Sequence, residues 1–151
     1  MIIIRTATET DVPRILELYQ QLVMDPSELE MVKPEPEFGL KAFREMSALE
    51  GYYLLVAEVD GEVVGTAVLV ILPGLAHGIS HWGVVEFMVV NEAHRSQGIG
   101  RALTDHAAEL AQEAGCYKIM LGSNKKRTDA HRFYRQAGYE ATHEGFTRYF
   151  K

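Results

Sequence analysis

The sequence predicts an α/β (α+β) chain of six to seven strands and about four helices, and two stretches carry most of that prediction. Residues 84–114 read as an apolar run VVEFMVV, a polar turn NEAHRSQGIG and an amphipathic RALTDHAAELAQEA. The run has strand length and many β-branched residues, as in a strand buried on both faces. Ile99, Leu103, Ala107, Leu110, Ala111 and Ala114 then recur at helical spacing, so one stripe of a helix faces that sheet. The second stretch joins residues 53–59 (YLLVAEV) to 62–72 (EVVGTAVLVIL) through Asp60-Gly61. Asp-Gly between two apolar runs is the strongest short-range hairpin signal.

The remaining elements follow in order. Residues 2–6 form a first strand, and Thr10 or Asp11 caps a helix with Pro13 in its first turn. Val12, Ile15, Leu16, Tyr19, Leu22 and Val23 give that helix an apolar face. Residues 24–37 hold three prolines, five acids and one lysine, which reads as an irregular loop. A second helix over 38–49 buries Leu40, Phe43, Met46 and Leu49 and stops at Gly51. Pro73-Gly74 closes the third strand, and a loop carrying His77, His81 and Trp82 leads into Val84. Gly115 ends the long helix and residues 117–121 form another strand. Thr128 or Asp129 caps a last helix over 130–137, with Phe133, Tyr134 and Ala137 inward and Gly138 as its stop. Residues 139–142 and 146–150 then read as a closing pair of strands around Glu144-Gly145.

A length of 151 residues suits one domain, 1–151, with one sizeable core. With 47% hydrophobic and 24% charged residues the composition is that of a soluble globular chain. The apolar start is too short for a signal peptide, and no run approaches membrane-spanning length. A single cysteine, Cys116, excludes an internal disulfide and suits a reducing cytoplasm. The net charge of −6 is unevenly spread. Residues 1–93 hold five Lys/Arg against fifteen Asp/Glu, and residues 94–151 hold ten against six. So acidic a chain is a poor nucleic-acid ligand, because such binding rests on phosphate neutralisation by Lys and Arg.

The turn before the long helix carries the chemistry. A helix N-terminus offers unpaired N–H groups and the positive end of the helix dipole, which together bind phosphate oxygens. A dinucleotide fingerprint would need a third glycine near the first strand, and a nucleoside-triphosphate loop needs Gly-Lys-Ser/Thr, whereas Gly100 precedes Arg101-Ala102. A plain glycine-rich turn remains open on this segment alone.

The element order, Arg95-Ser96-Gln97-Gly98-Ile99-Gly100 and Ala130-His-Arg-Phe133-Tyr134-Arg-Gln-Ala-Gly138-Tyr139 together resemble the GNAT superfamily of acetyl-CoA-dependent N-acetyltransferases. The first segment matches its Q/R-x-x-G-x-G/A acyl-CoA motif and the second its a-x-x-F-Y-x-x-x-G-F/Y element. Residues 123–147 further resemble the matching part of aminoalkylphosphonate N-acetyltransferases, and the middle of the chain much less.

The resemblance implies a GNAT fold with a mixed central sheet, and acetyl-CoA as cosubstrate. On it, the backbone of Gln97, Gly98, Ile99, Gly100 and Arg101 cradles the pyrophosphate, Arg95 and Arg101 add charge nearby, and Ser96 belongs to the same cofactor-binding turn. The pantetheine arm lies alongside Phe87 to Val90, with Met88, Val89 and Val90 as cofactor contacts and an N–H near Val89 on the thioester carbonyl. Asn124 and Arg132 complete the cofactor side. Glu86, a lone charge inside an apolar strand, is the expected general base, with a structural ion pair as its plainer explanation. Tyr134 is the expected general acid. His77 and His81 are alternative bases or acceptor contacts, and their loop setting is no metal motif, so no metal is expected. Acids of the 25–37 loop, Glu28 and Glu30 among them, suit steering of a cationic amine. The expected activity is transfer to a primary amine of a small molecule, in the cytoplasm, without nucleic acid or membrane. A protein or peptide acceptor, a non-catalytic acyl-CoA sensor and a homodimer through the 146–150 edge stay open.

Overall fold

The structure is a computed structural model that describes residues 1–24 and 35–150. Five strands form one mixed sheet in the order β1-β2-β3-β4-β5. They are β1 (Ile2–Thr6), β2 (Tyr52–Val59), β3 (Glu62–Leu72), β4 (His81–Val90) and β5 (Cys116–Leu121). The first four run antiparallel to their neighbours, and β5 pairs with β4 in parallel. Parallel neighbours need a long crossover, and α4 (Ile99–Glu113) supplies it. The other helices are α1 (Val12–Tyr19), α2 (Pro36–Ser47), the single turn α3 (Ala76–Ile79) and α5 (Thr128–Gln136).

Two cores lie on the two faces of the sheet. Ile15, Leu18 and Phe43 of α1 and α2 pack on Leu54, Val56, Val68 and Val89. Ile99, Leu103, Ala107 and Ala111 of α4 pack on Leu55, Ala57, Val64, Ala67, Leu69 and Val85. The helical spacing read from 99–114 is thus the buried stripe of α4. The α4 helix approaches β3 so closely that a Cβ on Gly65 would stand 3.2 Å from Ile99 and 3.3 Å from Leu103. At the β2–β3 turn, Asp60 and Gly61 have φ of 50° and 82°, the double left-handed geometry that Asp-Gly supplies to two-residue hairpins.

Three expectations are corrected. The sheet has five strands among the described residues, not six to seven, because residues 139–142 and 146–150 form none. Alternating aromatics make a strand only where a neighbouring backbone and an apolar surface receive them. Here Phe146, Tyr149 and Phe150 are 92%, 90% and 86% exposed. Leu49 lies past the end of α2 and is exposed, so the buried side of that helix stops at Met46. The last helix starts at Thr128, with Arg127 rather than Thr128 or Asp129 at its cap position, whereas the first has the expected Asp11 there, after a 3-10 turn at Glu9–Asp11 in which the Thr8 N–H donates to Asp11 Oδ2 at 2.7 Å.

Candidate functional site

The site is built where β4 stops pairing with β5. The last parallel pair is Val85 with Leu121, so Glu86–Val90 keeps a neighbour only on the β3 side. That half of the strand is also bulged. Val68 opposes Glu86 and Thr66 opposes Val89, so three steps on β4 span two on β3. Phe87 takes up the extra residue with a φ of 50°, and a left-handed bulky residue of this kind costs about 1–3 kcal/mol. The consequence is a change of face. Val85 and Met88 lie on the α4 side, while Glu86, opposite Val68, and Val89 lie on the α1/α2 side. Regular alternation would have put Val89 on the α4 face with Val85.

Backbone direction follows from the next bond. Asn91 N–H donates to the Val64 carbonyl of β3 at 2.7 Å. Alternation along the strand then turns the N–H and C=O of Val90, and two residues earlier of Met88, toward the open side. The Arg95 guanidinium accordingly reaches the Val90 carbonyl at 3.2 Å. By the same alternation the Val89 backbone points back to β3, and the Met88 N–H beside it lies on the open side.

At the end of this gap stands the start of α4. Gly98 is its N-cap, with a φ of 84°, a conformation glycine adopts without strain. No atom lies within 4 Å of where a Gly98 Cβ would sit, and no side chain caps the helix. The first backbone bond at this end joins the Ala102 N–H to the Gly98 carbonyl at 3.0 Å. The N–H groups of residues 98–101 are therefore left over by helix geometry, facing a space a side chain does not fill. This end of α4 fits a phosphate-bearing group. Gly100 serves a different purpose from Gly98, because a Cβ there would come within 3.2 Å of Phe133 Cζ on α5.

The charged side chains of the loop are already engaged. Arg101 binds both Asp105 oxygens at 2.8 and 2.9 Å and the Gln136 carbonyl at 3.3 Å. Its side chain thus ties α4 to α5, and what it offers a phosphate is its backbone N–H. Ser96 (φ 62°) and Gln97 are exposed in the turn. Asn124 folds its own loop, its Oδ1 accepting from the Lys126 N–H at 2.9 Å and its carbonyl from the Arg127 N–H at 2.9 Å. Arg132 is 73% exposed, with Asp129 at 3.8 Å.

Glu86 and Tyr134 lie within electrostatic reach of one another. Glu86 is not a core residue. It faces the cleft, and partial burial there holds its carboxyl above the usual carboxylate range. It has no ion-pair partner among the described residues, which removes the plainer explanation on those residues. Burial raises the Tyr134 phenol; the Arg127 charge pulls it down and the Glu86 charge pushes it up. The Glu86 charge is thus within electrostatic reach of the Tyr134 phenol. The Tyr134 ring is held edge-on by Tyr139 at 5.8 Å and Phe133 at 5.3 Å.

Other expected residues fall elsewhere. His81 opens β4, five residues before Glu86, or about 16 Å along an extended strand. His77 lies in α3 and stacks on Tyr117 at 4.4 Å, at the start of β5. Neither shares the Glu86 end of the strand. Glu28 and Glu30 lie outside the described residues. Two cavities lie along α2: an open groove of ≈770 Å³ against Leu40, Arg44 and Ala48, and one of ≈230 Å³ between α2 and Tyr52. Neither contains Glu86, Tyr134 or the glycine turn.

Sequence reasoning missed four residues on the acceptor side of Glu86. Tyr19 and Phe87 have ring centroids 6.0 Å apart. Tyr52 joins the same face, its phenol raised by burial and by the Glu86 charge. Thr66, fully buried, donates to the Leu55 carbonyl at 2.8 Å beside Tyr19. Tyr19 read as a core position and Phe87 as part of the strand along the pantetheine arm, and no glycine or proline marks the bulge that exposes Phe87.

Comparison with known proteins agrees with this geometry. A model described as the acetyltransferase (GNAT) family matches residues 15–139. The aminoalkylphosphonate N-acetyltransferase of Salmonella typhimurium is 41% identical over 90 residues, covering 59% of this chain and 57% of that one. The glucosamine 6-phosphate N-acetyltransferase of Trypanosoma brucei brucei is 36% identical over 81 residues, covering 54% and 53%. The chain thus spans about half the length of the curated relatives it matches. Among solved structures, a transcriptional regulator from Bacillus halodurans C-125 superposes with a TM-score of 0.90 at 33% identity, covering 99% of this chain and 100% of that one. An acetyltransferase from Trypanosoma brucei superposes with a TM-score of 0.82 at 29% identity, both chains covered in full. With its family match spanning most of its length and its open strand meeting an uncapped helix start, the chain belongs to the acetyltransferase (GNAT) family.

Proposed function

We propose that this chain is an N-acetyltransferase that passes the acetyl group of acetyl-CoA directly to a primary amine of a small molecule. Both substrates are bound together, with Glu86 as general base and Tyr134 as general acid. The observation that carries the reading is the break in pairing after Val85, which lies between the uncapped start of α4 and the Glu86–Tyr134 pair. Residues 98–101 hold the diphosphate through their free N–H groups, each charge-assisted bond contributing about 1.5–3 kcal/mol. Met88 and Val90 offer the open backbone edge to the pantetheine arm, and the Met88 N–H is placed to polarise the thioester carbonyl. Asn124 shapes the turn beside the gap, while Arg95 braces the Val90 carbonyl.

An amine of lysine-like pKa, near ~10.4, is mostly protonated at pH 7, and freeing its lone pair costs roughly 4–5 kcal/mol. The nitrogen sheds two protons on becoming an amide. One passes through Glu86 to solvent. The C–S bond breaks as the C–N bond forms, the leaving thiolate takes a proton from Tyr134, and the second proton shed by nitrogen restores the phenol. Glu86 and Tyr134 are coupled in a useful direction. A carboxylate beside a phenol opposes its ionisation, so when Glu86 accepts the amine's proton that opposition ends and Tyr134 becomes the better acid.

The test is acetyl-CoA-dependent thiol release across a panel of amines. Turnover is expected with at least one small amine, and Tyr134→Phe is expected to lower kcat about 10²-fold with the acetyl-CoA KM little changed. Similarity to a structure described as a transcriptional regulator keeps one second reading, an acyl-CoA-binding sensor. Thermal stabilisation by acetyl-CoA without thiol release from any amine or lysine peptide would favour the sensor. Release with peptides alone would move the acceptor to a protein.

A further inference from the structure

The acceptor side of Glu86 is walled by aromatic rings and holds one uncompensated carboxylate. Phe87 stands in the bulge, 55% exposed, with its ring 6.0 Å from that of Tyr19 at an interplanar angle of 54°. Tyr19 closes α1 and packs into the α1/α2 core, as does Tyr52 at the start of β2. Tyr52 opposes Val70, two residues along from the Leu54–Val68–Glu86 row and on the same face.

The cations of this half are spoken for. Arg5 binds Asp11 and Glu58, and Arg14 binds Glu17, Glu62 and the Val63 carbonyl. Arg44 binds Glu9, and Arg95 the Val90 carbonyl. Lys41 lines the open groove on α2, away from the Glu86 cleft. Arg127, beside Tyr134, is at the start of α5. Among the described residues, therefore, these side chains place no free cation against the Tyr19, Phe87 and Tyr52 rings, and Arg127 stands on the Tyr134 side of the opening. A carboxylate among aromatic faces attracts an ammonium twice, by charge and by the ring quadrupoles. Against that wall of rings and carboxylate a phosphate or phosphonate is disfavoured.

Resting on the acetyltransferase reading above, we propose that the acceptor is a monocationic alkyl- or arylalkylamine without an anionic group. Its ammonium meets Glu86 and its apolar body lies against Phe87, Tyr19 and Tyr52. This separates the chain from the phosphorylated or phosphonylated amines named for its relatives.

The experiment measures thiol release at saturating acetyl-CoA with 2-phenylethylamine, n-hexylamine, 2-aminoethylphosphonate, glucosamine 6-phosphate and a lysine peptide. The plain amines are expected to show kcat/KM about tenfold or more above the other three. Phe87→Leu keeps an apolar side chain of similar bulk but loses the ring, and is expected to raise the 2-phenylethylamine KM about fivefold and the n-hexylamine KM less. A higher kcat/KM for the phosphonate, the sugar phosphate or the peptide overturns the acceptor proposal and leaves the acetyltransferase reading standing. A wild-type amine KM in Phe87→Leu removes the ring from the site and overturns the proposal as stated. No release from any acceptor, with acetyl-CoA still raising Tm, overturns the acetyltransferase reading and the acceptor with it.

Discussion

The two halves of β4 are adjacent in sequence and opposite in design. His81–Val85 is hydrogen-bonded to β3 on one side and β5 on the other, and packing there is so close that a Cβ on Gly83 would stand 2.8 Å from Ile119. Glu86–Val90 has lost β5, carries an extra residue, holds Phe87 left-handed and presents a carboxylate to an opening. The first half spends its backbone groups on the sheet, and the second leaves some free. Free backbone groups arise where regular pairing ends, and Glu86 lies one residue past the last β4–β5 pair.

The strongest way to break this contrast is Glu86→Gln. Loss of the base is expected to lower kcat by about 10²–10⁴. The wild-type acid limb of kcat/KM should lie above the usual carboxylate range, because burial raises Glu86, and that limb should vanish in the variant. The stability sign runs the other way. A carboxyl whose folded pKa is raised favours the folded state when protonated, and that contribution is lost as pH climbs through the folded value. At neutral pH the variant should therefore keep or slightly raise Tm while losing turnover. A parallel loss of Tm and activity would make Glu86 structural.

The two glycines of the turn sharpen the contrast. Gly98 is left-handed with open space around it, and Gly100 is helical with Phe133 against it. Gly98→Ala forces an ordinary residue into the left-handed region at about 1–2 kcal/mol, and should raise the acetyl-CoA KM about tenfold if that strain is relieved by moving the cap. Gly100→Ala should act through α5 instead, shifting Phe133 and with it Tyr134, so that kcat falls more than acetyl-CoA affinity. Steady-state kinetics on both variants separates the roles. Equal effects on KM would mean that both glycines are there for the ligand.

How much of this was legible depended on whether a feature is local. The strand, turn and helix of 84–114 and the Asp60-Gly61 hairpin were readable, because each states its geometry within a few residues. The bulge was not. Glu86-Phe-Met-Val89 contains no glycine, and the extra residue is defined only against β3, where Thr66 and Val68 set the count. Arg101 read as a charge for a ligand, yet its partners Asp105 and the Gln136 carbonyl come from its own next turn and from α5. Tyr19 read correctly as an inward helix position. Nothing in helical spacing says that the ring beyond it belongs to a bulged strand.

A second acid tests the scaffold rather than the cleft. Asp11 is 7% exposed, binds Arg5 through both oxygens at 2.7 and 3.0 Å, and accepts from the Thr8 N–H. Those bonds hold its carboxyl down at about 2, against an ordinary value near ~3.9. Because the folded value is depressed, its contribution is present above pH ~4 and disappears as pH falls toward ~2, amounting to about 2 kcal/mol. Chemical denaturation of Asp11→Asn across pH ~2–6 should show a smaller acid loss of stability than wild type, with kcat per folded molecule at neutral pH unchanged. An unchanged acid slope would place the sensitivity in other carboxylates.

The smallest effect is expected at the C-terminal end. Phe146, Tyr149 and Phe150 stand in solvent, and the outer edge of β5 has no strand against it among the described residues. Side chains that bury nothing on folding contribute almost nothing to it. Removing residues 146–151 should leave the denaturation midpoint of the monomer within about 0.5 kcal/mol of wild type, the usual range for surface changes. The truncation also bears on the homodimer left open by the sequence. If those aromatics bind a second copy, the full chain alone should show a Tm that rises with protein concentration, since association stabilises by mass action. A concentration-independent Tm in both would confine the working parts of the molecule to the sheet, its flanking helices and the opening beside β4.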